Sequence, residues 1–521
     1  MSFQSSKNLS KSMANNSAYE ISLSKKKLNQ SVILAIGVWL MLALVMPFEF
    51  KSMIGDGDTE WHIAAGDIIR DAGALPTHDP WSFTAGDTEW VNVSWLWDVT
   101  FSKLYESGGW YFVTLANGLI YALIMAVIFL LCVLRSGQGV MPCIVLFAVS
   151  SILGPVARPL QLGLLFFIIA YALLELVNRE KVARKWLWVL PPLTLLWANI
   201  HGSFILVLLL LGIYGLTTLI QKNSALFKRL FMVGALSLLA SLANPYGLEV
   251  FYHILVNATA DINKILVEWR PLELTWLNLL THFYLPLFLL LLIIRPVAMS
   301  VSEKWCVFVF LLLGLTSQRS LALFVIVSAP IMASALAELA AVKGSAPKRA
   351  IWVQRICDRL AAFCQSPRTV MGGGLLMLIV PLAMATPLGA DYYPTRENGP
   401  VTDLSKEVAF IQNHYPEITF YTDYSLGGSL IFQFRGEFPV FIDGRATTAY
   451  PKELAADYIA FHNREADWRE RFAKRNIGGI LMHSHDYNAA RMRQMPGWQR
   501  VFEGDIAEIF IRAEHAVPAS Q

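Results

Sequence analysis

The sequence predicts an α-helical polytopic membrane protein with a small extracytoplasmic α/β domain at its C-terminal end. Three observations carry this. Of the 521 residues, 55% are hydrophobic and only 16% charged, where a soluble protein carries roughly 25% charge. The apolar residues are gathered into about eleven runs approaching the ~20 residues that a bilayer-spanning helix needs. Beyond residue 390 this texture gives way to a polar segment of mixed helical and strand periodicity. Together these exclude a soluble enzyme, a disordered chain and a secreted disulfide scaffold.

The elements follow in order. Residues 1–30 are rich in Ser, Asn and Lys, and are expected to form a disordered cytoplasmic N-terminus. Lys25, Lys26 and Lys27 precede the first apolar run, 31–48, which ends on Val45-Met46-Pro47-Phe48 without a small-residue cleavage site. It therefore reads as a retained first helix with its N-terminus inside. Further spans are expected near 110–134, 139–156, 160–178, 186–199, 204–221, 229–244, 276–294, 304–317, 320–341 and 369–388. The loops assigned to the cytoplasm then hold Arg135, Arg179, Lys181, Arg184, Lys185, Lys222, Lys228, Arg229, Arg295, Lys304 and the basic stretch 343–368. The short outer loops hold only Arg158, Lys264, Arg270 and Arg319. This asymmetry fixes the orientation, and an odd number of spans puts the C-terminus outside.

Two segments stand apart from the membrane pattern. Residues 50–109 are an outer loop rich in Asp, Trp, Gly and Pro, counted here with the transmembrane domain, 31–389. Residues 390–521 form the α/β domain, with strands expected at 418–421, 439–442, 477–482 and 507–511 and helices near 403–414, 452–461 and 465–475. The formal net charge is only +3 and no long basic block occurs, which excludes nucleic acid as a partner. The five cysteines (Cys132, Cys143, Cys306, Cys357 and Cys364) form no CxxC pair. Neither a zinc site nor a disulfide framework is expected.

The densest chemical signal is Gly55-Asp56-Gly57-Asp58-Thr59-Glu60-Trp61-His62. Clustered carboxylates just past a helix end suit a general base, or a divalent cation held through oxygen ligands, at Asp56 and Asp58. They equally suit an acidic turn. The loop continues as an amphipathic stretch, 63–70, expected on the membrane surface. Trp90, Trp95 and Trp97 then suit an interfacial belt or a sugar-stacking wall. The other polar clusters between spans also fall on the outer face: Arg158-Pro159, Trp197-Ala198-Asn199-Ile200-His201-Gly202, Asn244-Pro245-Tyr246-Gly247, Glu268-Trp269-Arg270-Pro271 and Ser317-Gln318-Arg319-Ser320. Each alone reads as a cap or turn. Together they point to one outward-facing site in which carboxylates activate a hydroxyl and arginines hold a phosphate. No nucleotide-binding GxxxxGK[ST] loop occurs, so the substrate arrives activated.

The Asp-bearing first outer loop, the helix after it, the many spans and the C-terminal domain together resemble the glycosyltransferase C superfamily. The likeness is carried by Asp58 to Gly66, Pro76 to Thr84, Ala157 to Gln161, Trp197 to Gly202, Asn244 to Gly247, Glu268-Trp269 and Ile442-Asp443-Gly444-Arg445, over roughly residues 35–515. The family carries a His-Glu-Trp-like triplet near the end of the loop; here Val93-Ser94-Trp95 stands in its place. The resemblance implies transfer of a sugar from a polyprenyl-phosphate carrier to a glycolipid, polysaccharide or protein acceptor, in a bacterial inner membrane. On that reading Asp58 and Asp56 are catalytic, and Arg158, Arg319, His201, Glu268, His62, Asn199 and Tyr246 bind substrate. No cofactor is required beyond the divalent ion considered at Asp56 and Asp58. The alternatives are a lipid-intermediate transporter or flippase, which should show internal repeats, and a non-catalytic envelope-assembly scaffold.

Overall fold

The computed structural model describes residues 56–137, 140–150, 152–154, 156–271, 279–340 and 402–515. The expected N-terminal tail and the spans expected at 31–48 and 369–388 lie outside the described residues. The first described helix, α1, runs Gly57–Ala72. Asp56 caps it, Asp58 and Glu60 place negative charge in its first turn, and Gly73 closes it in the left-handed conformation. The next, α2, runs Trp95–Ser136 and breaks at Gly108 and Gly109, where Gly109 combines a φ of 59° with a ψ of −153° that a side chain would not tolerate. That break falls at the expected boundary between the outer loop and the second span.

α3 (Val140–Ser150), α4 (Pro159–Asn178), α5 (Leu190–Ala198), α6 (Ile205–Ile220), α7 (Ser224–Ser241) and α8 (Glu249–Ala258) follow, then α9 (Leu279–Ile294), α10 (Val301–Thr316) and α11 (Leu321–Ala340). Five described helical runs are long and apolar enough to cross a bilayer: Trp95–Ser136, Pro159–Asn178, Gly202–Ile220, Ser224–Ser241 and Gln318–Ala340. The chain is thus a multi-pass helical membrane protein, but the expected eleven spans are not reached among the described residues. The stretch 186–199 holds a 3-10 turn and then α5, nine residues opened by Pro191 and Pro192, which lack the N–H a longer helix would need. α3 has 11 residues, and α9 and α10 have 16 each. Phe167, Ile168, Phe310, Phe324, Val325 and Ile326 fill the core of the bundle. Leu123, Phe147, Leu216, Phe231, Leu239 and Ile293 stay exposed, as lipid-facing side chains do.

The C-terminal domain runs α12 (Ser405–His414), β1 (Thr419–Thr422), α13 (Tyr424–Phe434), α14 (Lys452–Asn463), α15 (Trp468–Lys474), β2 (Ile477–His483), α16 (Tyr487–Met492), β3 (Trp498–Glu503) and β4 (Ala507–Arg512). The strands stand in the order β1-β2-β4-β3, with β1 and β2 parallel and the other pairs antiparallel. The apolar strands β1, β2 and β4 appear where the sequence places them. The expected strand 439–442 instead forms a single parallel bridge, Val440 to Ser82 of the first loop. β3 shows little apolar alternation and escapes the sequence reading.

That bridge belongs to a larger departure. Trp61, Ala65, Trp81 and Trp90 of the first loop share one hydrophobic core with Leu430, Phe441, Ile442 and Ile480 of the C-terminal domain. α1 is therefore not a surface helix: its residues from Thr59 to Gly66 are buried. Trp90 and Trp97 are buried too, so neither serves as an interfacial anchor. The two segments meet at bare backbone. A Cβ on Gly428 would lie 1.9 Å from the carbonyl oxygen of Gly57; within the first segment, where α1 crosses α2, one on Gly66 would lie 2.1 Å from that of Asp98. Deep in this contact the Ser429 hydroxyl donates to Glu60 Oε2, while Glu60 Oε1 has no partner among the described residues. Burial pushes the Glu60 carboxyl up to about 8, against the pull of the Ser429 hydrogen bond.

Two outcomes follow from this contact. Gly428→Ala should destabilise the protein by about 1–3 kcal/mol through overpacking, whereas Gly212→Ala, which meets nothing within 4 Å, should not; thermal melting of the purified protein compares them. Because Glu60 is protonated in the folded state over a range where the unfolded chain has lost the proton, stability falls as pH rises from about 4.5 to about 8. Glu60→Gln keeps a neutral partner for Ser429 and removes that loss. The variant should match the parent near pH 5 and melt at a higher temperature near pH 8; an unchanged pH profile would contradict the assignment.

Candidate active site

The charged groups predicted from separate loops meet in one place. Asp56 and Asp58 stand at the start of α1, and Arg158 caps α4, whose Pro159 fixes the helix entry. Arg158 grips Asp56 with two parallel bonds, Nε to Oδ2 and Nη2 to Oδ1, each 2.6 Å. Its Nη1 lies 2.8 Å from Asp58 Oδ2 and 3.5 Å from Glu268 Oε2. Glu268 in turn accepts from Arg319 Nη1 at 3.0 Å. Arg319 Nη2 sits 3.4 Å from His201 Nε2, and its guanidinium stacks over Trp269 at 5.1 Å. The loops bearing Glu268 and Arg319 are stitched by Gln318 N donating to Arg270 O and by Ser317 Oγ donating to Glu268 O.

Electrostatics orders these groups. Burial works to lower the Arg158 guanidinium, but Asp58, Asp56 and Glu268 outweigh it and hold the group above its ordinary range. Burial raises the Asp58 carboxyl, with Arg158 pulling the other way. His201 is pushed down to about 3 by burial, then by Arg319 and His62, so it is neutral here. The result is three carboxylates facing two guanidiniums. Both Asp58 oxygens are engaged, Oδ2 by Arg158 and Oδ1 by the Trp61 indole N–H at 3.2 Å.

His62 lies one turn beyond Asp58 on the same face of α1. Its Nδ1 is 2.6 Å from Asp98 Oδ1, and Asn92 Nδ2 donates to Asp98 Oδ2 at 2.8 Å. The ring stacks on Trp61 at 3.6 Å. The pairing of Nδ1 with a buried carboxylate leaves Nε2 as the ring's second polar position. Asn199 and Tyr246 stand differently. Asn199 donates to the carbonyls of Leu195 and Ala243 and accepts from Trp95 Nε1; the Tyr246 hydroxyl accepts from Asn92 N. Their polar groups hold the surrounding loops together.

The sequence reading missed Asp98, which stands among other polar residues in the first turns of α2 and is set apart only by its burial. It also missed that the C-terminal domain closes the site. Gly444 lies against the aspartate: a Cβ there would meet Asp58 Oδ1 at 1.7 Å. Tyr424 donates to the Gly444 carbonyl at 3.4 Å. Next to it, Arg445 is fully buried, paired with Asp79 of the first loop at 2.6 Å and with Asp443 at 2.7 Å, and its guanidinium lies over Trp81 and Trp90. The Asp443-Gly444-Arg445 turn is therefore a clamp between segments. Arg158 occupies the position between Asp56 and Asp58, and among the described residues no group of three or more His, Cys, Asp or Glu side chains is placed to hold an ion.

No protein-family model matches the chain, and no curated protein matches it in sequence. Among solved structures it is similar to the archaeal oligosaccharyltransferase AglB from Archaeoglobus fulgidus in complex with an inhibitory peptide and a dolichol-phosphate, with 11% identity and a TM-score of 0.54, covering 88% of this chain and 70% of that one. The apo form of the Archaeoglobus fulgidus oligosaccharyltransferase gives 11% identity and a TM-score of 0.52, over 88% and 69%. ArnT from Cupriavidus metallidurans bound to undecaprenyl phosphate gives 14% identity and a TM-score of 0.45, over 92% and 98%. In fold, this chain is similar to the Archaeoglobus fulgidus oligosaccharyltransferase.

Proposed function

We propose that the protein is a membrane glycosyltransferase that moves a sugar from a polyprenyl-phosphate carrier to an envelope acceptor. In this reading it sits in a bacterial inner membrane, with the N-terminus in the cytoplasm and the C-terminal domain in the periplasm. One observation carries the proposal: Asp56 and Asp58, Arg158, Glu268, Arg319 and His201, drawn from loops more than 250 residues apart, form one connected charged group where the helical bundle meets the C-terminal domain. A scaffold has no need of such convergence. The fold likeness is to an oligosaccharyltransferase in complex with an inhibitory peptide and a dolichol-phosphate.

The chemistry divides between the two charge types. Arg319 and Arg158 bind the carrier phosphate, which competes with the carboxylates for their N–H donors. As Arg158 turns toward phosphate, Asp58 is released from it. Asp58 then takes the proton of the acceptor hydroxyl, whose oxygen forms a bond to the anomeric carbon. The bond from that carbon to the phosphate oxygen breaks, and polyprenyl phosphate leaves with its charge already paired, so it requires little help from an acid. Asp56 keeps Arg158 within reach. Glu268, His201 and His62 orient the acceptor, with Asp98 fixing the His62 ring.

Asp58→Asn tests this assignment. Loss of a general base costs about 10²–10⁴-fold in rate, so transfer from a panel of polyprenyl-phosphate-linked sugars in proteoliposomes should fall by that much, with melting temperature little changed. Retained transfer would overturn the role of Asp58. Chelation by EDTA should leave the rate unchanged.

A further inference from the structure

We propose that the C-terminal domain carries a second anion site, a phosphate-binding patch formed by Arg464, Arg469 and Arg491 around Tyr487 and Trp468. It is separate from the charged centre beside Asp58 and does not depend on the glycosyltransferase reading.

Ion pairing within the domain is the first observation. Arg445, Arg471, Arg475, Arg493, Arg500 and Arg512 each have a carboxylate within 4.0 Å. Arg464, Arg469 and Arg491 have none among the described residues. Yet they gather over one aromatic surface instead of dispersing into solvent. Arg469 lies 4.9 Å and Arg491 5.4 Å from the same Trp468 ring, and Arg491 also lies 5.8 Å from Phe461. Arg464 covers Tyr487 at 4.2 Å. Tyr487 and Arg491 are four residues apart on α16 and so share a face.

Like charges held together without a counter-charge are unfavourable unless something offsets them. Burial and then the nearness of Arg464 and Arg469 depress the Arg491 guanidinium. Stacking on rings recovers part of the cost and also fixes the guanidinium planes, which leaves their N–H edges free for a ligand. Few of those donors are engaged within the chain: Arg469 Nη2 contacts Met495 Sδ at 2.7 Å, and Arg491 Nη1 reaches Phe461 O at 3.4 Å.

The second observation is Tyr487. It is 67% exposed, the one large apolar side chain of the described C-terminal domain left so open. It lies under Arg464 and one helical turn from Arg491. A planar ring covered by one guanidinium and neighboured by another fits a ligand with a phosphate and an adjoining apolar or sugar face, and among the described residues no carboxylate stands within pairing distance of the three arginines to repel it. The ligand class is a phosphate mono- or diester. It is presented either by a lipid headgroup or by a soluble or glycan-borne phosphate.

Arginine-specific modification of the full chain by phenylglyoxal, read by peptide mass spectrometry, tests the site. The protein is held in phosphatidylcholine nanodiscs, and inorganic pyrophosphate is the probe in one arm. In a second arm, phosphatidylglycerol replaces half the lipid with no added anion. Arg435, exposed and outside the patch, is the internal control. Protection of Arg464, Arg469 and Arg491 by fivefold or more relative to Arg435 is expected in at least one arm. Protection by pyrophosphate alone identifies a soluble or glycan-borne phosphate; protection by phosphatidylglycerol identifies a headgroup. Arg469→Gln with Arg491→Gln should abolish the protection of the remaining Arg464 without shifting the melting temperature. Protection in neither arm, equal protection of Arg435, or full protection of Arg464 in the double variant would each overturn the proposal.

Discussion

The arrangement depends on a guanidinium that water does not reach. Arg445, Asp79 and Asp443 all have side chains with no exposure, and Trp81 and Trp90 close over them. Burying such charges costs several kcal/mol per ion by itself, and only complete pairing offsets it. Arg445 achieves that pairing by drawing on both segments: Asp79 from the first loop, and Asp443 and the Tyr450 hydroxyl from its own domain. Asp443 already pairs Arg445 within the domain, whereas among the described residues the buried charge of Asp79 meets a cation only across the contact. The loop and the domain are therefore obliged to fold against each other, and the bare backbone contact of Gly57 with Gly428 sets how closely. α1 emerges from that contact with its first turn aimed at Arg158. The charged centre is a consequence of this docking, since Asp56 and Asp58 sit on the turn that it orients.

This explains what the amino-acid sequence could disclose and what it could not. The apolar runs, the break at Gly108 and Gly109 and the strands β1, β2 and β4 are local. Periodicity and composition report them directly. Asp56, Asp58, Arg158, Glu268, Arg319 and His201 were legible as a set because polar groups at membrane depth are costly and rarely idle. The partnership of Arg445 with Asp79 spans 366 residues, and no local pattern records it. The same holds for α1. Its amphipathic texture is real, but a second protein surface satisfies an apolar face as well as lipid does, and the sequence does not say which is present. The tryptophans failed for the related reason that a ring suited to an interface is equally suited to a core. The short helices α3, α5, α9 and α10 are apolar without reaching full spanning length among the described residues, so apolar composition alone does not give the number of spans.

The electrostatic balance of the centre constrains how it can work under the proposed function. Three carboxylates against two guanidiniums and a neutral His201 leave the group with an excess of negative charge. A phosphate entering such a group must displace a carboxylate from a guanidinium. The contacts are unequal. Asp56 holds Arg158 by two bonds of 2.6 Å and is the more deeply covered, whereas Glu268 reaches it at 3.5 Å and is 43% exposed. Glu268 is therefore the first to yield, since its charge is the one that water can most readily take up. Its release frees donors on Arg158 and Arg319 together, because it bridges them. Asp56 remains, so Arg158 pivots without being lost. Asp58 is left with the Trp61 indole as its fixed partner and an oxygen open to a hydroxyl. The order of events follows from the ranking of these contacts: the aspartate that would accept a proton stays masked by Arg158 until an anion has arrived to take its place. A site built this way binds the phosphate before its base becomes available.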